Sequence, residues 1–145
     1  MVGVDGSMAS LAALRWAVRE AGLRESALQV VRAWEDAAKR VAPYASHTCL
    51  PVGAEDHRRA ADRLQADVAG ALGAAPLVPV MVQVAEGLAA RVLLDHAAGA
   101  DLLVLGSATQ CAPGGIGPVA RACLRHAPCP VVVVSDAMTD LPVPA

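Results

Sequence analysis

The sequence predicts an α/β fold: a single-domain, doubly wound, five-stranded parallel sheet in strand order 3-2-1-4-5, with helices on both faces. Three observations predict it. Short apolar, β-branched runs alternate with apolar residues at helical spacing along the chain. The run at 102–105 has no polar alternation, which marks a strand covered on both faces. The hydrophobic share is 55% of 145 residues, but much of it is Ala and Val, with two Trp, one Tyr and no Phe. Such a supply suits helices packed closely on a sheet. This length makes about one domain, read as 1–136 with 137–145 as a loose tail.

The elements follow in order. Val2 to Asp5 is a strand turning at Gly6 and Ser7. Leu11, Leu14, Val18 and Ala21 then recur at helical spacing, with Ser7 as N-cap and Gly22 as the stop. The strand is short, which implies either a clipped strand or a chain start upstream of Met1. Residues 27–34 form the second strand. Periodicity is lost from Glu35 to about Gly53, where Pro43 and Pro51 mark a long excursion. It returns with Ala61, Leu64, Val68 and Leu72, whose flanking charges (Arg58, Arg59, Asp62, Arg63, Asp67) read as a solvated face.

Residues 77–85 form the third strand, placed at a sheet edge because Pro79 within it cannot donate to a central ladder. Glu86-Gly87 leads into a helix over 88–98, with Arg91 and Asp95 as an exposed i,i+4 pair. Residues 102–105 form the fourth strand. Ile116, Val119, Ala120, Cys123 and Leu124 make an apolar helical stripe, and Val131, Val132, Val133 and Val134 are the fifth strand. Right-handed crossovers leave few strand orders, and the order chosen puts the valine strand at the second edge. A bare edge of that kind is an aggregation template unless paired, so a homodimer through Val131–Val134 is expected.

Net charge is −2 and Lys/Arg alternate with Asp/Glu, which argues against a nucleic-acid partner. No apolar run approaches the roughly 18 residues of a spanning helix, and no leader pattern opens the chain. A soluble, cytoplasmic protein without a membrane partner is expected. Cys49, Cys111, Cys123 and Cys129 form no CxxC pair or zinc spacing and read as reduced thiols, with Cys123 in the core and Cys111 in a loop. No Ser/His/Asp arrangement, carboxylate pair or metal cluster stands out, so the protein reads as a non-enzyme. His126 reads as a helix C-terminal residue favoured by the dipole.

A strand, a loop carrying Gly114, Gly115 and Gly117, a helix and a strand together make the 101–134 segment the candidate small-molecule site, because backbone N–H groups and a helix N-terminus can face a phosphate there. Val2-Gly3-Val4-Asp5-Gly6-Ser7 with Ser10 and residues 13–17, Glu86-Gly87, residues 100–107, and residues 126–134 together resemble the universal stress protein family. The resemblance implies a dimer through the last strand and, in many members, ATP at the carboxyl ends of strands one and four. Other members lack nucleotide.

ATP-binding members carry a glycine, two residues, a second glycine, nine residues, and a glycine followed by Ser or Thr. Gly106 matches the first, with Ser107 beside it. Thr109 stands at the second, Gly117 follows seven residues later, and Pro118 replaces the hydroxyl residue before Val119. One phosphate donor is therefore lost, while Gly114, Gly115 and Gly117 offer another anion loop or simply a flexible one. The base end is intact by this resemblance, with Val4, Asp5 and Gly6 after strand one and the backbone of Ala33 and Trp34 near the base. Asp5 fits equally a ligand contact and a local turn. The expected ligand is ATP or another adenine nucleotide, with Mg if ATP, and Asp5→Ala and Gly106→Val are expected to abolish binding without unfolding. The alternative is a dimeric interaction module that has lost the phosphate site.

Overall fold

The computed structural model describes residues 1–35, 52–73, 76, 78–107 and 115–135. The sheet has five parallel strands in the order β3-β2-β1-β4-β5. The strands are β1 (Val2–Gly3), β2 (Leu28–Trp34), β3 (Val80–Glu86), β4 (Leu103–Gly106) and β5 (Val131–Val134), and the helices are α1 (Met8–Leu23), α2 (Val52–Leu72), α3 (Ala89–Ala97) and α4 (Pro118–His126). The expected fold class and strand order are those observed. The tail at 137–145 and most of the 35–53 excursion lie outside the described residues.

Alternation along the strands builds two cores. Val2, Val4, Val30 and Val104 point to one face and pack with Leu14 of α1 and Leu64 of α2. Val31, Leu103 and Leu105 point to the other and pack with Leu93 of α3 and with Ala120 and Cys123 of α4. Register aligns Val2 with both Val30 and Val104, and Leu103 with Val131. β1 is only two residues long, yet it is the middle strand; the Val4 N–H extends its pairing by donating to the Val31 carbonyl at 2.9 Å.

Three details depart from expectation. Pro79 precedes β3 instead of lying inside it, and its carbonyl accepts from the Leu28 N–H at 2.8 Å. The edge position therefore rests on topology and on the exposed alternate residues Met81 and Gln83, not on a missing donor. α2 begins at Val52, well before its periodic apolar residues, and carries Glu55 in its first turn, where the dipole favours an acid. The expected stripe is only half used: Ala120 and Cys123 of α4 are buried, but Leu124 is 46% exposed, and Ile116, which precedes the helix, is 44% exposed. His126 ends α4, as expected.

Candidate functional site

Parallel strands bring all their carboxyl ends to one side of the sheet. The chain leaves β1 for α1 on one face and reaches α4 from β4 on the other, and such a reversal leaves a crevice outside the strand ends. A cleft of about 130 Å³, open to solvent, lies there. Gly3 forms its floor. A Cβ at that position would stand 2.8 Å from Leu105 Cδ2 and 2.9 Å from Leu93 Cδ2, so glycine is what lets those leucines meet over β1.

The turn after β1 is held by its own polar side chains. The Ser7 N–H donates to Asp5 Oδ1 at 2.9 Å, the Ser10 N–H donates to Ser7 Oγ at 3.2 Å, and Ser10 Oγ donates to the Ser7 carbonyl at 2.9 Å. Ser7 is thus the N-cap of α1. Partial burial disfavours the Asp5 carboxylate, but hydrogen bonds from the Ser7 side chain and N–H, the Ser10 side chain and its own N–H outweigh it, and its pKa falls below the ordinary value. Of the two roles open to Asp5, the local turn is the one its contacts display.

Ser107 differs. Its N–H donates to the Val134 carbonyl at 2.8 Å, and the residue is 7% exposed. Its Oγ is buried and has no hydrogen-bond partner among the described residues, and it lines the cleft. An unpartnered buried hydroxyl costs about 1–3 kcal/mol, which a polar group entering the cleft would relieve. Gly106 beside it has a structural duty: an added Cβ would lie 2.6 Å from the backbone of Ala9 and Ser10. The expectation that Gly106→Val spares the fold is therefore corrected, since the larger side chain collides with the first turn of α1.

Val4, Asp5, Ala33, Gly106, Ser107 and Val119 all line this cleft. Gly6 adopts a left-handed φ of +88°, and its position faces the Arg32–Asp67 ion pair. Gly117 is the buried N-cap of α4, without a side-chain cap bond, and Pro118 is exposed at its start. Gly115 is half-buried. Thr109 and Gly114 lie outside the described residues, as does Cys111. Sequence reasoning missed Val31, Ala89, Leu93 and Ala120, which close the apolar walls. Topology offered a signal, because the helices that follow parallel strands begin at their carboxyl ends.

Trp34 lines a second, larger cleft of about 420 Å³ together with Arg32, Arg59 and Arg63, and the two clefts share Ala33 and Ala89. Arg32 Nη1 lies 3.4 Å from Asp67 Oδ2, and Arg59 Nη2 lies 2.9 Å from Glu55 Oε1. Trp34 and His57 meet edge to face at 5.7 Å. Arg59 and Arg63, read above as part of a solvated face, thus border a concavity. No group of three His, Cys, Asp or Glu among the described residues is set to hold a metal ion. Nor is any helix among them long and apolar enough to cross a membrane.

A model of the universal stress protein family matches residues 1–135. A universal stress protein of Mycolicibacterium smegmatis is 34% identical over 143 residues, covering 92% of this chain and 47% of its own length. The chain spans about half the length of the curated relatives it matches. Among solved structures, the universal stress protein from Archaeoglobus fulgidus in complex with dAMP superposes with a TM-score of 0.68 at 21% identity, covering 92% of this chain and 94% of that one. A universal stress protein in complex with cAMP superposes with a TM-score of 0.63 at 22% identity, covering 93% and 94%.

Proposed function

This chain belongs to the universal stress protein family, and from that premise we propose that it binds an adenine nucleotide in the cleft at the ends of β1 and β4. The nucleoside lies against the small, largely apolar wall of Val4, Ala33, Val119 and Ala120, and the phosphate lies at Gly106 and Ser107. The complexes of fold neighbours with dAMP and cAMP support this choice of ligand. The observation that carries it is the buried, unpartnered hydroxyl of Ser107, a residue that lines this cleft.

The rest of the reading is of a cytoplasmic, dimeric stress-response protein that binds without catalysing, with magnesium accompanying ATP when ATP is the ligand. Its two copies pair along the β5 edge. Pro118 supports monophosphates over ATP, because the start of α4 there offers neither an N–H nor a hydroxyl. The same residue favours the second reading, a nucleotide-independent interaction module.

Calorimetric titration with AMP, cAMP and Mg-ATP tests this. Saturable AMP or cAMP binding, weakened in Ser107→Ala, is the expected outcome. No saturable binding by folded protein would leave the interaction module.

A further inference from the structure

We propose that the two clefts form one continuous site for a 3′-linked dinucleotide, whose second phosphate meets Arg59 and Arg63 and whose second base lies on Trp34. The inference rests on the nucleotide reading of the first cleft.

Geometry argues for two anionic groups instead of one. Ser107 follows β4, whereas Ala33 and Trp34 end β2, and the sheet order puts β1 between them. That separation is two strand spacings, roughly 10 Å, about the reach of one mononucleotide. The arginines stand beyond it, on α2. A phosphate at Ser107 cannot also serve them.

The second cleft has the chemistry for another nucleotide. Arg59 and Arg63 are four residues apart and so share one helix face, and both line the concavity with Trp34. Arg59 is paired with Glu55 and Asp56, and Glu35 and Asp56 also line the cleft, but Arg63 has no ion-pair partner among the described residues, which makes it the cation open to a phosphate. An arginine beside an indole offers a charge-assisted hydrogen bond to phosphate and a stacking surface for a base. The shared wall of Ala33 and Ala89 has no large side chain to divide the two halves. With the 5′-phosphate at Ser107, a 5′–5′ linkage would leave from the Ser107 end, so the ribose 3′-oxygen is the point from which a phosphodiester would lead toward this side.

The test titrates the wild-type chain and the Arg59→Ala/Arg63→Ala variant with AMP, linear diadenylate (pApA), cyclic diadenylate and diadenosine triphosphate. Both arginines are exposed, and circular dichroism checks that the variant keeps its fold. The expected result is that linear or cyclic diadenylate binds wild type about five- to tenfold tighter than AMP. The variant should erase that gain and leave AMP and the 5′–5′-linked compound unchanged. Whichever of the two diadenylates shows the gain tells whether the ligand is linear or cyclic, and the 5′–5′-linked compound tests the linkage. Equal affinity for AMP and both diadenylates overturns the proposal while the nucleotide reading stands, and so does a variant that weakens AMP equally. Failure of wild type to bind AMP at all removes the reading beneath both.

Discussion

Gly106 at the end of β4 lies so close to Ser10 in the first turn of α1 that an added Cβ would sit 2.6 Å from the Ser10 nitrogen. Contact at that distance is with backbone, which cannot rotate away. Gly106→Ala should therefore destabilise the fold by about 1–3 kcal/mol, read as a lower midpoint in urea denaturation. An unchanged midpoint would mean that β4 and α1 move apart freely.

Ser107→Ala should behave in the opposite way. Removing a buried hydroxyl without a partner relieves a desolvation cost, so the melting temperature should hold or rise by a few degrees while AMP affinity falls about fivefold. A variant that melts lower and binds normally would show that Ser107 is a packing residue only.

Asp5 links the turn to pH. Its folded pKa lies below the ordinary 3.8, so its stabilising effect is fully present above that value and is lost as pH falls through the depressed folded value. Asp5→Asn should accordingly be less stable than wild type at pH 7, and the gap should narrow in acid below about pH 4. A gap that stays constant down to pH 2 would remove the carboxylate's role in the Ser7–Ser10 turn.

Cys123 is fully buried, and burial raises its thiol pKa. Iodoacetamide should label it only after unfolding, whereas the half-buried Cys129 should react in the native protein. Peptide mapping by mass spectrometry reads both sites. Native labelling of Cys123 would show that α4 lifts from the sheet.

The β5 edge gives the test of dimerisation. Val132 packs against one core and Val131 and Val133 against the other, so charged substitutions there would strike the interior. Proline is gentler. Ser107 N–H donates to the Val134 carbonyl, and by ladder alternation the Val133 N–H faces outward. Val133→Pro should leave the fold intact, as edge strands tolerate proline, yet convert dimer to monomer in light scattering. A dimer that survives the proline would place the contact elsewhere.

The order of the elements was legible in the sequence because each strand and helix carries its own period within about ten residues, and crossover handedness then leaves few ways to connect them. The burial of Cys123 and the cap at Ser7 were legible for the same local reason. Less could be read from Pro79, because whether a residue is the last of a turn or the first of a strand depends on its ladder partner, here Leu28.

The sequence by itself determined a doubly wound sheet, because hydrophobic period, turn chemistry and chain handedness are local properties, whereas the ends of β1 and β4 as the candidate site came from the family resemblance. Only the tertiary structure decided the use of the individual side chains. It turned Asp5 inward to its own loop, left Ser107 Oγ without a partner, pressed Gly106 onto α1, and brought Arg32 of β2 beside Arg59 and Arg63 of α2. Those outcomes depend on distances between segments far apart in the chain, which packing sets and periodicity does not encode.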